Sequence, residues 1–283
     1  MSSVISVIAS LSRCPVRLLV CLTFLVCART AAAADASAGK PFVVVIDAGH
    51  GGKDTGATGE YGREKDINLA VALKAGEMIS EAFDKDEVKV VYTRSKDVFV
   101  PLQNRCDIAN RAGGDLFISV HVNSVDAKSP RRNTVEGASV YTLGLGRSKE
   151  NLEVAKRENS VMTLEPDYST RYQGFDPNSA ESYIMFEMTA NHHMDRSIRF
   201  ASMVQKELVG TAGRVDKGVR QDIFWVLVHT GMPAVLIELD FICNPRSEEF
   251  LTSKKGTRRL AEAITNAFTD YHAMVTKSAA KTP

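Results

Sequence analysis

Phe42-Val43-Val44-Val45-Ile46-Asp47, closing on Ala48-Gly49-His50-Gly51-Gly52, is the stretch from which the fold is read. A mostly β-branched, apolar run ended by glycines reads as a strand, and unbroken apolarity suits a strand buried on both faces. Outward from it, strand-like runs recur at 88–93, 115–121, 137–143, 222–228 and 234–239. Between them lie helical patterns. Asp66 reads as an N-cap, with Ile67, Leu69, Ala70, Leu73, Met78 and Ile79 on one face. Pro101 opens a helix to about Ala112, with Leu102, Cys106 and Ala109 inward, and Gly113-Gly114 ends it. A closing helix spans 257–275, with Leu260, Ala263, Ile264, Ala267 and Phe268 inward. Strands alternating with helices predict an α/β fold: a single layered domain over 42–275, with a mostly parallel twisted sheet of about six strands flanked by helices.

One segment exceeds what such a fold needs. From Ser148 to about Met162 the pattern is helical and highly charged. Residues 163–182, rich in Pro, Asp, Ser, Tyr and Gly, read as irregular, and helix returns at about 183–209. Together they mark a helical and loop insertion at about 148–190.

The N-terminus reads as separate from the fold. Arg13 and Arg17 precede the apolar stretch Leu18 to Ala28, and Ala31 to Ala34 follow. This is the pattern of a secretory signal peptide over 1–34, with 35–41 as a linker. The apolar stretch is short for a membrane span, so no stable span is expected in the mature chain; an uncleaved anchor is the alternative. Val26 before Cys27 disfavours lipidation there. The expected location is outside the cytoplasm, in the periplasm or cell-wall space. The tail, 276–283, is expected to be disordered.

The 283 residues carry a formal charge of +1 and are 24% charged and 7% aromatic, and no basic run is interleaved with aromatics. Loss of 1–34 removes three arginines and no acid, which turns the balance slightly negative. Electrostatics therefore give no reason to expect a nucleic-acid partner. Cys14, Cys21 and Cys27 leave with the leader; Cys106 and Cys243 remain and read as buried free thiols.

Chemistry concentrates at strand ends. His50 follows the first strand, His121 ends Leu116-Phe117-Ile118-Ser119-Val120, and Glu238 ends Ala234-Val235-Leu236-Ile237. Ligands of open α/β sheets gather beyond such carboxyl ends. Glu64, in Arg63-Glu64-Lys65-Asp66, precedes a helix. Taken singly, His50 reads as a loop residue, His121 as a core histidine and Glu64 as a surface acid. Jointly, two imidazoles and a carboxylate suit a catalytic zinc that keeps a position for water, and a further glutamate can take that water's proton. Asp47 is expected to brace His50 through its second N–H, and Asn123 to bind substrate or fix its loop. His192 and His193 point in different directions on a presumed helix; His229 and His272 read as structural.

Four motifs carry a family resemblance. Ile46-Asp47-Ala48-Gly49-His50-Gly51-Gly52-Lys53-Asp54 resembles the opening motif of zinc-dependent N-acetylmuramoyl-L-alanine amidases of the cell-separation type (amidase type 3). Gly62-Arg63-Glu64-Lys65-Asp66-Ile67-Asn68-Leu69, Phe117-Ile118-Ser119-Val120-His121-Val122-Asn123 and Pro233-Ala234-Val235-Leu236-Ile237-Glu238 resemble the next three, in order, over about 42–274. The resemblance implies that His50, Glu64 and His121 bind Zn2+ and that Glu238 is the catalytic acid/base. It implies a peptidoglycan substrate, cut at the amide between N-acetylmuramic acid and the L-alanine of the stem peptide. Asp240 and Val228 depart from the pattern, where glycine and a basic residue are common.

In related amidases an insertion such as 148–190 carries a helix that covers the zinc until an activator protein removes it. On that pattern an acid among Glu150, Glu153, Glu158, Glu165 and Glu181 would reach the metal at rest. A solvated charged helix beside a substrate groove is the plainer reading. Two rivals stand beside the amidase: a zinc peptidase acting within wall peptides, and an inactive wall-binding regulatory module.

Overall fold

The computed structural model describes residues 40–144, 148–179, 181–183 and 193–279. The expected signal peptide, most of the linker, His192 and part of the insertion lie outside the described residues. Six strands form one sheet: β1 (Phe42–Ala48), β2 (Val88–Tyr92), β3 (Leu116–Asn123), β4 (Ala138–Leu143), β5 (Asp216–Asp222) and β6 (Ala234–Phe241), in the order β2-β1-β3-β6-β4-β5. All pairings are parallel except β4 with β6. The longer helices are α1 (Glu64–Ala82), α2 (Leu102–Arg111), α3 (Lys149–Asn159), α4 (Met194–Gly210), α5 (Pro245–Thr252) and α6 (Lys254–Ala279).

The period of two along β1 divides the core. Val44 and Ile46 pack with residues of α1, α4 and α6; Val43 and Val45 pack with Leu102, Cys106 and Ala109 of α2 and with Met162, Tyr172 and Phe175. Both faces of the central strands are thus covered. Each fully buried Val or Ile contributes roughly 1.5–3 kcal/mol. Cys106 and Cys243 are buried free thiols, and burial pushes the Cys106 thiol upward. His272 lies against the Phe42, Phe83 and Phe268 rings, and His229 stacks on Trp225 at 4.0 Å.

Several boundaries differ from expectation. The fifth strand lies at Asp216–Asp222, a half-exposed edge with a polar sequence, whereas most of the apolar run at 222–228 is a core segment whose Trp225–Val228 is a helical turn. A short apolar run does not distinguish strand from buried helix by periodicity. α1 starts at Glu64 with Arg63 as its N-cap; Asp66 lies inside the first turn and pairs with Arg63 Nε at 2.7 Å. The charged helix ends at Asn159 and tightens into a 3-10 turn, Ser160–Leu164. The tail expected to be disordered from 276 is helical as far as Ala279.

Candidate metal centre

Three strand ends and two helices meet at one point. β1 ends where Gly49 N donates to Val120 O, and the chain then turns through His50 (φ 60°), Gly51 (φ 129°) and Gly52 (φ 58°). Positive φ at a histidine is unusual and is held here by its surroundings. Arg105 Nη2 donates to His50 O at 2.7 Å, and Arg94 Nη2 to Gly49 O at 2.8 Å. Gly49 has a separate reason to lack a side chain: a Cβ there would lie 2.3 Å from His121 Cε1.

Four buried side chains converge. Glu64 Oε1 lies 3.1 Å from His50 Nε2 and 3.2 Å from His121 Nδ1. Glu158 Oε2, from α3, lies 3.0 Å from each of the same two nitrogens. One donor atom from each of the four falls within 4.8 Å of the others. His50 Nε2 and Glu158 Oε2 have no hydrogen-bond partner despite their approach. Although His121 Nδ1 bonds Glu64 Oε1, an imidazole nitrogen and a carboxylate oxygen left unpartnered at close range suit a shared cation, and two imidazole nitrogens with carboxylate oxygens suit a tetrahedral metal site. The residues therefore fit a metal ion.

The surrounding contacts hold these donors in place. His50 Nδ1 pairs with Asp54 Oδ2 at 2.8 Å, which leaves Nε2 directed at the cluster. Glu64 accepts from Ala57 N at 2.7 Å and from Val122 N at 2.9 Å. Burial works against ionisation of Glu64, but His50 and His121 together keep the carboxyl well below the usual range. Burial likewise opposes the charge on Glu158, and Arg157 and His121 overcome it. Burial lowers both imidazoles, yet Glu64 chiefly raises His50, and Glu158 chiefly raises His121 to about 9. The cluster thus attracts positive charge.

Glu238 sits beside it, fully buried, as the β6 register partner of His121. Its Oε1 meets Arg157 Nη2 at 3.3 Å, and its Oε2 has no partner. Burial lifts its carboxyl to about 8, against the pull of Arg157 and with the push of Glu158 and Glu64.

The other expected residues fall as follows. Asp47 does not touch His50. It lies on the α2-facing side of β1, where it accepts from Arg105 Nη1, Thr93 Oγ1 and Ser119 Oγ. Asp47 shares that face of the sheet with His121, but its oxygens are taken up by these three donors, and Asp54 braces His50 instead. Asn123 Oδ1 accepts from Ser124 N at 2.8 Å and from Arg157 Nη1 at 3.1 Å, so it fixes its own loop. Of the five acids in the insertion, Glu158 reaches the cluster. Glu150 and Glu153 are exposed; Glu165 bonds Tyr172 Oη and pairs with Arg171; Glu181 bonds Ser179. Asp240 is buried and ties the loop after β6, accepting from Gly137 N, Ser247 Oγ and Arg214 Nη1. Val228 closes the helical turn Trp225–Val228.

Sequence reasoning missed Asp54, Arg94, Arg105 and Arg157. An acid four residues past a histidine in a glycine loop was a usable signal for Asp54. The arginines gave none, because their partners are carbonyls or lie far along the chain.

Comparison with known proteins agrees with this geometry. Residues 44–270 match the family profile Amidase_3, described as N-acetylmuramoyl-L-alanine amidase. N-acetylmuramoyl-L-alanine amidase AmiA of Escherichia coli is 31% identical over 232 residues, covering 81% of this chain and 75% of that protein. AmiC of Escherichia coli is 30% identical over 241 residues, covering 83% of this chain, which spans 54% of AmiC's length. The crystal structure of N-acetylmuramoyl-L-alanine amidase from Clostridium difficile superposes with a TM-score of 0.61 at 26% identity, covering 82% of this chain and 97% of that one. Matching over most of its folded length and carrying the His50, Glu64 and His121 cluster at its strand ends, the chain belongs to the N-acetylmuramoyl-L-alanine amidase family.

Proposed function

We propose that this protein is a Zn2+-dependent peptidoglycan amidase, exported to the periplasm or cell-wall space on residues 1–34. It hydrolyses the amide between the lactyl group of N-acetylmuramic acid and the L-alanine of the stem peptide. The convergence of His50, Glu64 and His121, with Glu238 in register beside His121, carries this reading. His50 and His121 offer nitrogen, Glu64 offers oxygen, and the set leaves a fourth corner for reaction. When bound there, Zn2+ lowers the pKa of a water toward neutrality and polarises the scissile carbonyl.

The chain's own residues supply the rest. Glu238 holds and moves the proton: it takes one from the attacking water and delivers it to the leaving amine of L-alanine. A carboxyl lifted to about 8 is matched to both halves of that transfer near neutral pH. Asp54 fixes the His50 ring, and the Ala57 and Val122 amides fix Glu64.

The same reading extends to regulation. Glu158 fills the fourth corner and Arg157 engages Glu238, so α3 covers the centre at rest. An activator protein acting on the 148–190 insertion would lift it. Deleting 148–182 should raise basal wall hydrolysis; unchanged hydrolysis argues against occlusion.

The deciding experiment measures zinc per chain and identifies products from purified cell wall by mass spectrometry. The expected result is one zinc and free stem peptides beginning with L-alanine. Cuts between stem amino acids would establish the peptidase instead, and neither zinc nor products would establish the inactive module.

A further inference from the structure

Arg94 is buried, yet all its hydrogen-bond acceptors are backbone carbonyls. Nε donates to Ala48 O at 2.8 Å and Nη1 to Lys96 O at 3.2 Å. Nη2 donates to both Gly49 O and Lys65 O, each at 2.8 Å. Gly49 is the chain neighbour of His50, and Lys65 that of Glu64. One nitrogen therefore joins the backbone segments that carry two of the converging donors. Burying a guanidinium is costly, and only charge-assisted bonds of fixed geometry offset that cost. A planar fork reaches several carbonyls at once, whereas an ammonium is a point charge on a flexible stem.

A second strap spans the same gap at the rim. Lys65 Nζ donates to Gly52 O at 2.9 Å and to Asp97 Oδ2 at 2.7 Å, and Asp97 Oδ1 accepts from Gly52 N at 2.7 Å. The turn is shaped to receive Arg94: a Cβ on Gly51 would lie 2.3 Å from Val98 O and 3.0 Å from Arg94 Nε. The loop between His50 and Glu64 folds back on itself through Glu64 N to Ala57 O and Lys65 N to Thr55 O, and the Arg94 and Lys65 ties span the two segments directly.

We propose that Arg94, seconded by the Lys65–Asp97 pair, is a positioning residue that sets the His50–Glu64 spacing and thereby the affinity for the metal. This rests on the reading of His50 and Glu64 as ligands. Arg94→Lys keeps the charge and loses the fork, so it separates positioning from electrostatics.

The test uses the full chain. Zn2+ affinity is measured by competition with a chromophoric chelator, the visible bands of the Co2+-substituted protein are recorded, and urea midpoints are measured alongside. Arg94→Lys should weaken Zn2+ binding about 10–100-fold, the range for residues that orient metal ligands, and should shift the Co2+ bands. Asp97→Ala, at an exposed position, should weaken binding less, and it decides the matter if Arg94→Lys does not fold. A lower urea midpoint with wild-type Zn2+ affinity and Co2+ bands would mean a purely structural role and overturn the proposal. So would an Asp97→Ala protein, tested alone, that binds like wild type. A wild-type chain that binds no Zn2+ would overturn the ligand reading itself, and this proposal with it.

Discussion

The two sides of the donor cluster are held in unlike ways. His50, Glu64 and His121 sit on the sheet side, and two of them are braced by groups of the surrounding fold: Asp54, Arg94 and Arg105 around His50, and two backbone amides on Glu64. Glu158 arrives on α3, which buries only Val154, Ala155, Glu158 and Asn159, whereas α1 buries nine residues. The contacts of the Glu158 carboxyl are ionic, to Arg157 and the two histidines. These buried ion pairs part only if metal, water or substrate replaces them, whereas a buried amide left without its carboxylate cannot recover the loss locally. On the proposed reading, the braced side stays and the α3 side leaves.

Four substitutions would break or sharpen that contrast. Glu238→Gln removes the proposed proton carrier from the braced side. Wall hydrolysis should fall about 10²–10⁴-fold with zinc content unchanged, as measured by turnover and metal analysis on the same sample. Glu158→Gln weakens only the removable side. Basal hydrolysis should rise by roughly 5–150-fold, the span of ordinary coupling energies; a fall would place Glu158 among the permanent ligands. Glu248 of α5 accepts from Glu60, Tyr61 and Gly62 N and so fixes the loop leading to Glu64. Glu248→Ala should cost on the order of 2 kcal/mol in denaturant unfolding, because three partly buried amides lose their charged acceptor. Asp222, at the end of β5, is lifted by burial from 3.8 to about 6. Its folded value exceeds its unfolded one, so folding favours the neutral acid. The cost is absent below about pH 4, grows as pH rises toward 6, and is complete above it. Asp222→Asn should therefore match wild type near pH 4 and exceed it by about 1–3 kcal/mol at pH 7 in pH-dependent melts.

Much of the sheet side was legible in the sequence, and the reason is physical. β1, β3 and β6 are continuous apolar runs, so their ends, and with them His50, His121 and Glu238, could be located by counting. Glu64 was legible through its motif, although the helix starts two residues before the predicted cap. What failed depended on direction or distance. Asp47 is close to His50 along the chain, but its oxygens are committed to Arg105, Thr93 and Ser119, so nearness in sequence misled. β5 is an edge strand of Lys, Arg, Gln and Asp whose pairing with β4 leaves little apolar trace. Glu158 was one of five equivalent acids until the helix had a register; Val154 and Ala155 facing inward bring Glu158 to the same side. Arg94 bonds only carbonyls and Arg105 bonds carbonyls and the distant Asp47, and a carbonyl has no signature in a sequence.

The pairing of His121 with Glu238 across β3 and β6 has a last consequence. Their backbones are one interstrand step apart, about 4.8 Å, a distance dictated by the peptide ladder and shared by every sheet. Loops around the centre can therefore lengthen, shrink or diverge while His121 and Glu238 keep the same gauge.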